Sequence, residues 1–182
     1  MSSFHFWARR LTTVTLLRYA TLAACLSACL AIASCSEKMM PANVTGYNHM
    51  GHFAVDFTVN KAVGGSLSKG TGGGYSCCVL IPVQWRPGLK AKIVWQYDQA
   101  QDDDSPLPAP QEVEVDVPEY KRSGNFQVHF YQNHKVKVVV SNCSLGHPFY
   151  PMKLADQLPW SPEYSREAAI EITRQGGMSN DC

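Results

Sequence analysis

Charge is scarce in this sequence, because Asp, Glu, Lys and Arg make up only 17% of its 182 residues, against about a quarter in an average protein. Apolar residues reach 45%, which is enough to bury a core, so the composition excludes a largely disordered chain. The two signs of charge nearly cancel, with a formal net charge of +1 at pH 7. That balance excludes a strongly basic nucleic-acid binder, and we expect no nucleic-acid partner.

The sequence also lacks the short motifs that mark many enzymes and metal sites. It has no Gly-x-Ser-x-Gly nucleophile elbow, and the stretch around Ser68-Lys69-Gly70 lacks the spacing of a phosphate-binding loop. Asp102, Asp103 and Asp104 follow one another directly, without the alternating spacing and final Glu of a calcium loop. We therefore expect no enzymatic activity, no cofactor, no metal and no small-molecule substrate.

Positive charge is concentrated at the N-terminus, where Arg9, Arg10 and Arg18 are the only charged residues among the first 34. The remainder holds 13 basic and 15 acidic residues, a net charge of −2. After Arg18 comes an uncharged run of sixteen residues, Tyr19–Ser34. A membrane-spanning helix needs about 20 apolar residues, so this length is typical of a signal-peptide core. We expect residues 1–34 to be a signal peptide.

The uncharged run ends in Ile32-Ala33-Ser34-Cys35, which resembles the bacterial lipobox. The resemblance implies that the thiol of Cys35 is acylated, that cleavage occurs before it, and that several acyl chains anchor the protein. Cys25 and Cys29 follow similar residues behind shorter apolar cores and remain alternatives, as does an uncleaved anchor helix. By resemblance to the sorting signals of enterobacterial lipoproteins, Ser36 in place of Asp after the anchor implies an outer-membrane lipoprotein facing the periplasm.

Alternating apolar and polar residues predict six short strands: His52–Val59, Tyr75–Val83, Leu89–Tyr97, Gln111–Val117, Phe126–Tyr131 and His134–Val140. The last two predict a hairpin around Gln132-Asn133. The segment Tyr75–Val83 is apolar enough to indicate a buried strand. The pattern favours one all-β, mainly antiparallel domain of six or seven strands, with a sandwich as its architecture.

The remaining segments complete the predicted organisation. Residues 35–44 are interpreted as a tether, with Met39–Thr45 as an alternative entry into a first strand, and residues 45–182 as the domain. The glycine-rich segment Asn60–Gly74 and the acidic, proline-rich segment Asp98–Pro110 are predicted loops. Glu163–Gln175 is predicted as a short C-terminal helix, with a last strand over Ala169–Thr173 as the alternative.

Four cysteines beyond the anchor are candidates for disulfides in an oxidising periplasm: Cys77, Cys78, Cys143 and Cys182. Their pairing stays open, because four cysteines allow three pairings, and free thiols remain an alternative. A metal site is the less favoured alternative, because Cys77-Cys78 lacks the spaced pairs of tetrahedral zinc sites. Neighbouring residues in a strand point to opposite faces, so one of Cys77 and Cys78 could be a small buried apolar residue.

Three histidines near predicted strands carry no metal-ligand pattern. His49 and His52 do not share a face in a strand, so we expect structural hydrogen bonding from them. His129 alternates with the apolar residues Phe126, Val128 and Phe130, so it should face away from the core and is predicted at the surface.

Several motifs, taken in order, prompt a family resemblance: Gly46-Tyr47-Asn48-His49, Gly74-Tyr75-Ser76-Cys77-Cys78, Trp85-Arg86-Pro87-Gly88-Leu89, Asn125-Phe126-Gln127-Val128-His129-Phe130, and Val138-Val139-Val140-Ser141-Asn142 before Gly146-His147-Pro148. Over roughly residues 44–150 they resemble a family of proteobacterial lipoproteins catalogued as a domain of unknown function. Members are often encoded beside type VI secretion phospholipase effectors and look like their immunity proteins.

The resemblance implies a binding protein that captures a phospholipase effector in the periplasm and occludes it. An envelope-maintenance lipoprotein that binds another envelope component, without a toxin partner, is the alternative. Asp102, Asp103 and Asp104 are the candidate partner-binding residues, because clustered acids on a loop can steer a basic partner surface. Solvated charge without a partner is the simpler interpretation of the same run.

Overall fold

A computed structural model describes residues 37–99, 106–158 and 165–177. Eight strands are described: β1 (Met39–Asn48), β2 (Phe53–Val59), β3 (Ala62–Leu67), β4 (Ser76–Pro82), β5 (Lys90–Gln99), β6 (Gln111–Asp116), β7 (Asn125–Tyr131) and β8 (Lys135–Ser141). Two short helices follow, α1 (Leu154–Gln157) and α2 (Arg166–Arg174). Within these ranges no helix is long and apolar enough to cross a membrane.

The strands form two four-stranded sheets, ordered β4-β1-β7-β8 and β3-β2-β5-β6. Neighbouring strands are antiparallel except β1 and β7, which run parallel. The two sheets pack together around the main core, which confirms the predicted all-β, mainly antiparallel sandwich. The described part of the chain holds eight strands, more than the six or seven predicted.

Period-two patterning explains how the strands build the core. Ala91, Ile93, Trp95 and Tyr97 of β5 are all buried, as the alternation predicts. On β7 the inward residues include Phe130, which contacts Phe57 and Trp95 of the opposite sheet. The predicted β7–β8 hairpin is confirmed, with Tyr131 paired to Lys135 at its tip.

The other face of the β7–β8 pair carries a second, smaller core. Val138 and Val140 belong to the main core, so Val139 points the opposite way and packs with Cys143 and Tyr150. These partners belong to residues 142–158, which lie over this outer face and which we call the C-terminal segment. The central strand β7 is therefore covered on both sides.

Two predicted irregular segments are strands. Residues 39–44, predicted as part of the tether, form the first half of β1, which confirms the alternative of a strand beginning at Met39. The prediction of a loop throughout Asn60–Gly74 is wrong for β3, whose glycines hide the strand pattern but pair with β2. The C-terminal helix is confirmed as α2, and Ser165 caps it by accepting a hydrogen bond from the Ala168 amide.

Candidate functional site

Two histidines meet beneath the C-terminal segment on the outer face of β1 and β7. His49 Nε2 lies 3.0 Å from His129 Nδ1, and His129 Nε2 lies 2.7 Å from the Tyr150 hydroxyl. The Tyr150 hydroxyl also lies 3.0 Å from Gln127 Oε1, and His49 Nδ1 lies 2.5 Å from the Leu158 carbonyl oxygen. These five groups form a chain of four links, which we call the histidine array.

The prediction that His129 is at the surface is wrong, because its side chain is fully buried. It does face away from Phe126 and Phe130, but the segment that follows β8 covers that face. Tyr47 stacks on its ring with the centroids 5.0 Å apart, and Tyr150 closes it from the covering segment. Facing away from the main core therefore does not mean facing water in this strand.

The ends of the array are fixed by further hydrogen bonds. Gln127 Nε2 donates to the carbonyl oxygens of Ser141 and Cys143, each at 2.8 Å, so its Oε1 is left as an acceptor. At the other end, Tyr131 stacks on His49 with the centroids 4.3 Å apart and donates to the carbonyl oxygen of Asp156. The array thus fastens the C-terminal segment to the sheet.

A count of hydrogens shows that the neutral array is one proton short. The Leu158 carbonyl and Gln127 Oε1 only accept, so the four links require four hydrogens. Neutral His49 and neutral His129 supply one each, and the Tyr150 hydroxyl supplies the third. One added proton would complete all four links. A second added proton would leave N–H groups on both His49 Nε2 and His129 Nδ1, which face each other and could not form a hydrogen bond.

Burial decides which form the array takes at neutral pH. It lowers the pKa of His129 well below its ordinary value, and the nearby His49 and Lys137 lower it further. Burial also lowers the pKa of His49, although the Leu158 carbonyl and Asp156 act in the opposite direction. Both shifts favour the neutral imidazoles, and the Tyr150 hydroxyl donates its single proton to Gln127 Oε1.

Acid is expected to weaken the fold through this array. His129 titrates near pH 6.5 in the unfolded chain but only at lower pH in the folded one. Below about pH 6.5 the unfolded state binds more protons, so the free energy of unfolding should fall by up to about 1.4 kcal/mol per pH unit. Urea unfolding between pH 7.5 and 5.5 would measure this slope. His129→Asn should flatten the slope and exposed His52→Asn should not, and a constant free energy in the wild type would contradict the assignment.

Four large apolar side chains are exposed on or beside the edge strand β4 and the adjacent start of β1. The strand β4 is the edge strand of its sheet and pairs with the first half of β1. We call this exposed set the apolar edge: Met39, Tyr75, Leu80 and Val83. Tyr75 and Leu80 each keep 61% of their surface exposed. Exposed apolar surface of this kind is typical of protein contact sites.

The predicted buried strand over Tyr75–Val83 is therefore wrong on one face. Val79 and Ile81 enter the core, whereas Leu80 and both flanking residues of β4 are exposed. An apolar run does not distinguish a strand buried on both faces from an edge strand with an apolar outer face.

The candidate site residues from the sequence have different outcomes. Cys35, Cys182 and the acidic run Asp102–Asp104 lie outside the described residues. Cys77 and Cys78 form a disulfide with each other. Buried Cys143 is also disulfide-bonded, and its partner is outside the part of the chain that the structure describes. In that same part, no three His, Cys, Asp or Glu side chains are grouped closely enough to hold a metal ion.

Sequence reasoning missed the array and the apolar edge for different reasons. The strand β7 reads Asn-Phe-Gln-Val-His-Phe-Tyr without any charge, which is a signal of a strand covered on both faces. Nothing comparable marks Tyr150, because its position depends on how the proline-rich C-terminal segment returns over the sheet.

Comparison with known proteins gives a family but no characterised relative. A family model described as a protein of unknown function, DUF3304, matches residues 47–138. The matched region includes His49, His129 and the Cys77–Cys78 pair, and it stops before Tyr150. No curated protein and no solved structure matches the chain.

Proposed function

This chain belongs to the DUF3304 family of proteins of unknown function, and we propose that it is a lipid-anchored periplasmic binding protein that neutralises a phospholipase effector of type VI secretion by occluding it. The observation that carries the proposal is the apolar edge. The class of partner comes from the resemblance to immunity-type lipoproteins described above.

The apolar edge has the chemistry of a docking surface for a protein. Leu80 lies opposite Pro41 in the β1–β4 pairing, and both are exposed, so the apolar surface spans two neighbouring strands. Tyr75 adds an aromatic side chain, a residue type enriched in interfaces. Edge strands also present unpaired backbone groups to which a partner strand can bind. An occluding interface of standard size buries about 1,600 Å² in total, so the partner would also contact residues around the apolar edge.

The proposed anchor would hold this surface close to the lipid. Only residues 36–38 separate Cys35 from Met39, the first residue of β1. A chain spans at most about 3.6 Å per residue, so the start of β1 would lie within about 14 Å of the acylated cysteine. Met39 belongs to the apolar edge, which would therefore lie near the membrane surface on which a phospholipase acts.

The acidic run Asp102–Asp104 is proposed to assist association. Exposed like charges act at long range and raise the rate of encounter with a basic partner surface more than they raise affinity. The apolar edge would then supply most of the contact energy, because buried apolar and aromatic side chains dominate interface energetics.

Leu80→Asp is expected to weaken binding of the proposed phospholipase partner by about 30-fold or more, the effect of losing an interface residue worth about 2 kcal/mol. The variant should fold normally, because Leu80 is mostly exposed. Surface plasmon resonance with the solubilised full chain would measure the change in Kd.

Leu154→Asp is the matched control, because Leu154 is 54% exposed on α1 and lies outside the apolar edge. It should bind with wild-type affinity. Equal affinities for both variants would remove the apolar edge from the interface. Failure of the wild-type chain to bind the phospholipase would contradict the proposed function itself.

A further inference from the structure

The Cys77–Cys78 disulfide lies at an irregularity in the pairing of β1 and β4. Ala42 pairs with Val79 and Val44 pairs with Ser76, so two steps on β1 correspond to three on β4. Cys77 and Cys78 together therefore face the single residue Asn43, which is the arrangement of a β-bulge. In a regular strand the two side chains would point to opposite faces, and the bulge is what lets adjacent cysteines join.

This disulfide is placed where a reductant can reach it. The strand β4 is an edge strand, Cys77 is exposed and Cys78 is half-buried. Its role as a folding staple is minor, because the stabilisation from a disulfide grows with the length of the loop that it closes, and this loop is the shortest there is. Accessible disulfides are the ones that exchange readily with thiols.

Asn43 provides an acceptor that suits the reduced form. Its Nδ2 donates to Asn125 Oδ1 at 3.4 Å, which leaves its own Oδ1 as an acceptor, 3.7 Å from Cys78 Sγ. A disulfide sulfur carries no hydrogen and cannot donate to that oxygen. The Cys78 thiol that appears after reduction can donate to it.

We propose that Cys77–Cys78 is a thiol–disulfide exchange site, which a protein or small-molecule dithiol opens while the sandwich remains folded. A thiolate of the dithiol attacks Cys77 Sγ, the bond between the two sulfurs breaks, and its electron pair leaves on Cys78 Sγ. Cys78 takes up a proton and donates it in a hydrogen bond to Asn43 Oδ1. The second thiol of the reductant then closes its own disulfide and releases Cys77, so the dithiol loses two electrons and two protons and the protein gains them.

Alkylation after reduction tests the proposal on the full-length chain. Trypsin is expected to release residues 70–90 as one peptide, because the Arg86–Pro87 bond resists cleavage, and this peptide holds no other cysteine. In the oxidised protein it should carry no N-ethylmaleimide, and after native dithiothreitol treatment it should carry two. The rate of opening should lie within about tenfold of the rate in urea, since little structure shields the bond.

Three outcomes would overturn the site or part of it. Two adducts without reductant would mean that no disulfide is present, and opening more than tenfold slower in the folded protein than in urea would mean that the bond is shielded. A melting temperature of oxidised Cys77→Ser far below that of the oxidised wild type would make the bond a structural staple, in a comparison that does not reduce the disulfide of Cys143.

Asn43→Ala should shift the equilibrium with reduced and oxidised dithiothreitol toward the disulfide by about fivefold, the value of one hydrogen bond. An unchanged equilibrium would overturn the role of Asn43.

The variant Cys77→Ser supplies a control for the dithiol. Once reduced, the wild type should bind phenylarsine oxide, which needs two adjacent thiols, and should then resist N-ethylmaleimide at both positions. Cys77→Ser should leave Cys78 open to labelling in the presence of the same arsenical. Labelling of both wild-type cysteines despite the arsenical would overturn the proposal that reduction yields a vicinal dithiol on the folded chain.

Discussion

Phe130→Ala is expected to lower the free energy of unfolding by about 3–5 kcal/mol, a large part of the stability of a domain this size. Phe130 is 1% exposed, and its ring lies 5.0 Å from that of Phe57 and 5.7 Å from that of Trp95. It belongs to one sheet and both partners belong to the other, so its ring joins the two layers. Truncation removes those contacts and leaves a cavity that the two sheets cannot close without moving.

Urea unfolding followed by tryptophan fluorescence would measure this loss. Leu80→Ala is the matched control, because it also truncates a large apolar side chain but at a position that is 61% exposed. Its effect should stay within about 0.5 kcal/mol. A free energy of unfolding of Phe130→Ala within about 0.5 kcal/mol of the wild type would contradict the position of this ring between the sheets.

Gly64→Ala is expected to destabilise the protein by about 3 kcal/mol, through overpacking. A Cβ at Gly64 would lie 2.1 Å from Cε2 and 2.3 Å from Cζ of Phe57. Phe57 cannot move aside easily, because it is 3% exposed and packs against Phe130. Gly64 is the extra residue of a bulge, since Phe57 pairs with Gly65 and Thr58 with Val63, and its missing side chain makes room for the aromatic ring.

Gly74→Ala separates this steric effect from the general cost of losing a glycine. A Cβ at Gly74 would have no neighbour within 4 Å, and the residue has no positive φ. This substitution should be neutral or slightly stabilising, because alanine restricts the unfolded chain. Equal unfolding midpoints for the two variants would contradict the close packing of Phe57 on the β3 backbone.

The strands that the sequence predicts well are those whose pattern is local. On β5 every second residue from Ala91 to Tyr97 is apolar, and all four are buried. The β7–β8 hairpin has the same alternation on both sides of a short turn. The strand β3 is not predicted, because glycines interrupt its alternation of apolar and polar residues. Gly64 has no side chain because the ring of Phe57, on the neighbouring strand, occupies that space.

The histidine array and the Cys77–Cys78 disulfide both depend on structure that the alternation rule does not predict. Alternation places His129 on the face away from Phe130, and this orientation is right, but only the path of the C-terminal segment determines that Tyr150 covers it. Alternation also separates Cys77 from Cys78, and only the register between β1 and β4 reveals the bulge that joins them. Burial and register both arise from pairing between distant segments, which single-sequence patterns do not encode.

Inhibition of the proposed phospholipase partner, titrated with the full chain on mixed micelles of detergent and phospholipid, tests the central claim most directly. The proposed function predicts that lipid hydrolysis falls linearly to near zero as the chain approaches equimolar amounts, and that Leu80→Asp shifts the titration to much higher concentration whereas Leu154→Asp does not. Undiminished hydrolysis at a large excess of folded wild-type chain would contradict it.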